Sequence, residues 1–233
     1  MTAFQLKSIA LVSMLIDHIG AVFPDHFPIW FRMIGRLAWP VFVFLLAEGF
    51  RHTKAPEKFL MRLLAFALLS EIPYDIAMGN AISFTANTNI FYTLFLGGMA
   101  ICLYQRLQAK HNSQTMAVLG AIFPTVVLAE LLSTEYGGMG VLFIFTIYAI
   151  KPKWLRLVAM SGFALSQFIP LIPAHYLGIE IRFEYFLMIL FALATVPLVA
   201  MYNGQRGPRI KWLFYWAYPI HLVLLAVITM MIM

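Results

Sequence analysis

"SMLIDHIGAVF", residues Ser13–Phe23, lies inside the first apolar run of the chain and sets an aspartate beside a histidine, Asp17 and His18, near the middle of that run. A charged group at the centre of a membrane span costs about 2.5 kcal/mol or more on insertion scales, so such residues are uncommon and usually have a partner or a task. The surrounding sequence shows whether the run lies in a membrane, and its other buried charges bear on which of the two applies.

The chain of 233 residues is 62% hydrophobic and 11% charged, with a mean hydropathy of +0.86. Soluble domains carry about 25% charged residues, so this composition is that of an all-α, polytopic membrane protein. A bilayer span needs roughly 20 mostly apolar residues. Hydropathy marks nine such segments, near 5–23, 29–50, 59–78, 90–105, 115–132, 138–150, 154–173, 183–202 and 212–233. The connections between them are short, and residues 1–233 read as a single transmembrane domain. "GAVFPDHFPIW" offers no small-x-small cleavage site after the first segment, which is therefore expected to be a retained helix. Cys102, the single cysteine, can form no internal disulfide.

Lys and Arg are distributed unevenly among the loops. Lys7 opens the first segment; Arg51, Lys54, Lys58 and Arg62 follow the second; Arg106 and Lys110 follow the fourth; Lys151, Lys153 and Arg156 follow the sixth; Arg206, Arg209 and Lys211 follow the eighth. Short cytoplasmic loops collect these residues. The expected topology has a cytoplasmic amino terminus, an external carboxyl terminus, and cation-free loops such as "PDHFP" and "GNAISFTANTNI" outside. The net charge of +6 marks a cytoplasmic membrane face against the lipid bilayer, and no nucleic-acid partner is expected.

With about 1.5 Å of rise per helical residue, the buried polar residues fall at related depths. Asp17 and His18 lie at mid to outer depth. Arg32 and Arg36, four apart, share a face of the second span, and Glu71 and Asp75, also four apart, share one around Pro73 in the third. Glu130 closes the fifth span and His221 lies near the middle of the ninth. One polar cluster opening outward is expected. Two arginines and two carboxylates can serve as ionic glue in an apolar bundle. That reading covers His18 and His221 less well, since an imidazole tuned by nearby charges suits a general base or proton relay.

A second constellation lies on the cytoplasmic side. "AEGFRHTKAPEKFLMR" sets Glu48 at the membrane boundary and then presents Arg51, His52, Lys54, Lys58 and Arg62, and "YNGQRGPRIKW" places Asn203 and Gly204 among three cations. These charges are either topological or a seat for a phosphorylated donor, held by backbone and guanidinium groups. No metal is expected.

The segments "LKSIALVSMLIDHIG", "RMIGRLAWPVFVFLLAEGFRHT", "RLLAFALLSEIPYD", "NIFYTLFLGG", "YGGMGVL", "YNGQRG" and "KWLFYWAYPIHL" stand in the order seen in the TraX family, which the chain resembles over nearly its whole length. These are membrane acetyltransferases named for a conjugative-pilus protein that acetylates the amino terminus of pilin. More distantly, "AWPVFVFLLAEG" resembles the second membrane helix of the heparan glucosaminide acetyltransferase family and its bacterial relatives. The resemblance implies a transmembrane acyltransferase-like bundle in the bacterial inner membrane. It also implies acetyl-CoA as cytoplasmic donor and an amine, or a hydroxyl, of a protein, peptide or glycan as the acceptor at the outer face.

On that implication CoA would rest on Glu48, Arg51, His52, Lys54 and Arg62 and on the turn through Tyr202, Asn203, Gly204, Arg206 and Arg209, with its pantetheine arm reaching toward His18. His18 would be the general base, with His221 and the loop residue His26 as rivals. Asp17 would support the imidazolium, although helical neighbours point about 100° apart, which favours Glu71 or Asp75 as the partner. Arg36 or Tyr218 would stabilise the oxyanion. A reading of another class is a small proton- or ion-coupled transporter, because buried Asp, His, Arg and Glu also line ion pathways. Against it, no paired helix interruptions occur in matching halves.

Overall fold

The computed structural model describes residues 1–110, 113–167, 183–208 and 210–232. Among them are α1 (Ala3–Val22), α2 (Trp30–Gly35), α3 (Ala38–His52), α4 (Pro56–Met78), α5 (Ile90–Lys110), α6 (Gln114–Leu131), α7 (Gly137–Ala149), α8 (Lys153–Ser166), α9 (Phe183–Leu193), α10 (Thr195–Ala200) and α11 (Lys211–Ile232). The described residues contain no strand. Among the described residues, six stretches are long and apolar enough to cross a membrane: α1, α2 with α3, α5, α6, α9 with α10, and α11 from Trp212 to Met231. The protein is therefore an all-α, multi-pass membrane protein. Of the other three expected segments, α7 is apolar but only 13 residues long, and α8 has 14 residues before the described chain is interrupted. The remaining helix, α4, has 23 residues but carries Glu57, Lys58, Arg62, Glu71 and Asp75.

The helices group into two compact units, Met1–Leu45 with Ile150–Phe214, and Leu46–Ala149 with Tyr215–Met233. In the first unit, α1 begins with a capping box in which Thr2 Oγ1 accepts from the Gln5 N–H at 3.3 Å and the Thr2 N–H donates to Gln5 Oε1 at 2.8 Å. The next orphan donors of α1 are met by the loop after α10: Ala3 N–H donates to the Gln205 carbonyl at 2.8 Å and Phe4 N–H to that of Arg206 at 3.1 Å. "YNGQRG" can make this approach because Gly204 and Gly207 take φ of +80° and +72°. A Cβ on Gly207 would also stand 2.9 Å from Thr2 Oγ1. Lys153 Nζ pins the start of the same loop, donating to the carbonyls of Ala200 and Tyr202, each at 2.7 Å.

In the second unit α5 packs against α4, α6 and α7. Its Gly97 and Gly98 permit this, because a Cβ there would come within 2.5 Å of Ile144 Cδ1 on α7 and 3.2 Å of Leu60 Cδ1 on α4 respectively. Leu96, Ile101, Ile144 and Ile147 form the buried seam. Neighbouring side chains satisfy both ends of short α7. At its start Glu130 Oε1 accepts from Gly138 N–H at 2.7 Å. At its end Arg51 Nη2 donates to the carbonyls of Ile147, at 3.0 Å, and Tyr148, at 2.5 Å.

Candidate functional site

Each unit carries one polar centre. In the first, the loop after α1 turns the chain back so that α2 lies on α1, with Gly20 against Phe31 and Gly35 against the Asp17 carboxyl group. Asp17 Oδ1 then receives Arg32 Nη1 at 2.9 Å and Arg36 Nη2 at 3.3 Å. Arg32 Nη1 also donates to the Asp17 carbonyl at 3.2 Å, and Arg36 Nε to the Arg32 carbonyl at 3.2 Å. The shared face of Arg32 and Arg36 is thus used on the aspartate of the preceding helix, whose side chain is only 13% exposed. His18, one residue on, is buried in α1 at 5% exposure, and His26 sits in the exposed loop, edge-on to Phe23 with ring centroids 6.5 Å apart.

The second unit holds Glu71 and Asp75 on α4, both fully buried. Glu71 Oε2 accepts from the Asn89 backbone N–H at 3.1 Å and from its side-chain amide, which also donates to the Ala67 carbonyl at 2.8 Å. Asn89 Oδ1 in turn accepts from Phe91 N–H at 3.0 Å, capping the start of α5. Asp75 Oδ2 accepts from Ser83 N–H at 2.9 Å. The opposite oxygens, Glu71 Oε1 and Asp75 Oδ1, are buried without a hydrogen-bond partner, as are the hydroxyls of Ser70, Tyr92, Thr93 and Thr134. Tyr92 and Tyr218 both lie within electrostatic reach of Glu71.

Tyr218 packs edge-on against Phe91 and His221, with centroids 4.9 and 5.4 Å apart. His221 Nδ1 lies 2.8 Å from the Ala217 carbonyl. A carbonyl only accepts, so Nδ1 donates in this contact. Beside these residues opens a cleft of about 490 Å³, lined by Tyr74, Asn80, Asn87, Ser133, Thr134 and Glu135 among others. Its walls are tied together by Glu135 N–H donating to the Thr88 carbonyl at 3.2 Å and by Thr88 Oγ1 donating to that of Leu132 at 3.3 Å.

The residues expected to hold a donor divide between the units. In the second, Arg51 lies 3.2 Å from Glu48 and is committed to the end of α7, while His52 lies 3.6 Å from Glu48. Lys54 is exposed, and Arg62 lies over the Phe59 ring at 5.8 Å and hydrogen-bonds Tyr215. In the first, Tyr202 is edge-on to Phe44 at 5.5 Å, Asn203 Oδ1 accepts from Gln205 N–H at 3.0 Å, and Gly204 and Arg206 are exposed. Arg209 lies outside the described residues. Sequence reasoning missed Asn89, Tyr92, Thr134 and Glu135. An asparagine just before the helical run "IFYTLF" was the available sign of a cap.

Compared with known families, residues 3–229 match the one described as TraX protein. Over 240 aligned residues the chain is 28% identical to a probable fimbrial assembly protein FimC, serogroup H1, of Dichelobacter nodosus, covering 96% of this chain and 94% of that protein. No solved structure matches.

Proposed function

This chain belongs to the TraX family, and on that premise we propose that it is an integral-membrane acyltransferase moving an acetyl group from cytoplasmic acetyl-CoA to an acceptor at the outer face. In this reading the nine apolar segments all cross the inner membrane of a bacterium, and the Lys/Arg bias sets their direction. The name of the FimC relative supports an acceptor of the pilin kind, with a free amino terminus. A glycan or lipid headgroup is the hydroxyl-bearing counterpart.

The observation that carries the chemistry is the burial of His18 in α1, at 5% exposure, beside an aspartate already held by two arginines. An imidazole is the side chain whose proton moves most readily near neutral pH. His18 takes the proton from the acceptor amine as its nitrogen attacks the thioester carbonyl. The C–N bond forms, Arg36 of the same unit steadies the oxyanion, the C–S bond breaks, and the imidazolium returns the proton to the CoA thiolate. Exposed Arg206, with the Tyr202–Gly207 loop of the first unit, would receive the donor's phosphates.

The test is to supply the purified protein in lipid nanodiscs with acetyl-labelled CoA and a panel of free-amine peptides and hydroxyl compounds. Label appearing on an acceptor supports the proposal; neither transfer nor hydrolysis across the panel would refute it. The buried, incompletely bonded carboxylates of α4 favour one second reading, a cation-coupled transporter. Proton-coupled uptake into liposomes without acetyl-CoA turnover would establish that instead.

A further inference from the structure

Glu71 and Asp75 place two carboxylates in the interior of the second unit, and among its described residues no Lys or Arg is ion-paired with them. Each satisfies one oxygen with N–H donors, while Glu71 Oε1 and Asp75 Oδ1 are buried and unbonded. Residues 63–105, 111–149 and 215–233 contain no Lys or Arg. The unit's own cations, Arg51, Lys54, Lys58, Arg62, Arg106 and Lys110, gather at the opposite ends of α3, α4 and α5. A buried carboxylate is strongly unfavourable unless it is paired or neutralised.

Two further observations point outward from the pair to a ligand. The Tyr92 hydroxyl, on a side chain 5% exposed, has no hydrogen-bond partner and lies within electrostatic reach of both carboxylates. The Thr134 hydroxyl, on a residue 6% exposed, is also without a partner and lines the 490 Å³ cleft. The cleft wall adds a third carboxylate, Glu135, together with Asn80, Asn87 and Ser133. The whole set consists of acceptor oxygens and small polar groups, and no Lys or Arg is among the residues lining the cleft. A primary ammonium supplies what is absent, one positive charge and three N–H donors on a single atom.

We infer that Glu71, Asp75, Tyr92 and Thr134 form a recognition site for the primary ammonium group of a peptide acceptor, which enters through the cleft between residues 79–89 and 132–136. This deepens the acyltransferase reading and rests on it for the role of acceptor; the recognition of an ammonium ion rests on the groups just described. Asn80, Asn87 and Ser133 would meet the peptide backbone behind the amine.

Calorimetric titration of the full chain in nanodiscs tests this with tetra-alanine amide bearing a free amino terminus and the same peptide N-acetylated. The free amine should bind, and the acetylated form should bind at least about tenfold more weakly. Combining Glu71→Gln with Asp75→Asn, which keeps the shape and one acceptor oxygen of each side chain but removes the charge, should weaken the free amine about ten- to a hundredfold and leave acetyl-CoA binding unchanged. Tyr92→Phe and Thr134→Val should each weaken it less, at an unchanged unfolding temperature, and they carry the test if the double variant does not fold. Equal binding of the two peptides, no binding of the free amine at millimolar concentration, wild-type affinity in every variant, or one-for-one displacement by Na⁺ or K⁺ would overturn the inference. If amine binding depends on the carboxylates while acetyl-CoA is neither bound nor consumed, the acyltransferase proposal fails and the ammonium site stands.

Discussion

Arg32 Nη1 stands 2.9 Å from Asp17 Oδ1, and Arg36, one turn further along, reaches the same oxygen at 3.3 Å, so a single carboxylate holds two guanidinium groups across the α1–α2 turn. Removing its charge takes this counterion from both. Asp17→Asn should cost about 1 to 3 kcal/mol of stability, the range for hydrogen bonds to charged groups, read as a lower unfolding temperature in detergent. Gly35→Ala should be destabilising by the same assay, because its Cβ would occupy the space of the Asp17 carboxyl group. Wild-type stability in both variants would show that the ion pairs do not hold α2 in place.

His18→Gln separates chemistry from folding. If His18 is the general base, acetyl transfer should fall by about 10² to 10⁴ while the unfolding temperature stays close to wild type. His221→Gln and His26→Ala should retain most of the activity. Full activity in the His18 variant, with the His221 variant dead, would move the base to His221 on α11.

Arg51 and Arg206 look alike as sequence but differ in their surroundings. Arg51 bonds two carbonyls at the end of α7 and lies on Glu48, so Arg51→Ala should lower stability by about 1 to 3 kcal/mol. Arg206 is exposed, and Arg206→Ala should change stability by no more than about 0.5 kcal/mol. Its expected effect is a higher KM for acetyl-CoA at unchanged kcat, as for a contact made equally in ground and transition states. An unchanged KM would remove the loop from the donor site.

Membrane orientation is tested by reporters inserted after Lys54 and after Asn87. The first should report from the cytoplasm and the second from the outer side, since the Lys/Arg bias opposes these two loops. Both on one side would undo the topology.

Some of the candidate site was legible before any coordinates. The spacings Arg32–Arg36 and Glu71–Asp75 follow from the helical repeat, and all four residues do lie in helices or at a helix end. What the pairs face was not legible. Arg51 reads as one more cytoplasmic cation, yet its carbonyl partners lie 96 and 97 residues away. Likewise Asn89, 18 residues from Glu71, reads as a loop asparagine until α4 and α5 stand side by side.

The sequence by itself determined that this is an all-α membrane protein, where its apolar helices run, and which polar residues share a face. Those properties depend on composition and on a period of a few residues, and both are carried by short stretches of chain. Only the tertiary structure decided that Asp17 serves Arg32 and Arg36, that Glu130 and Arg51 close the two ends of α7, and that Glu71 and Asp75 each keep one buried oxygen unbonded. Partnership between distant segments depends on the rotation and axial register of each helix against its neighbours. In the second unit that register is set by close contacts such as Gly97 on Ile144 and Gly138 on Val126, where a single Cβ would not fit.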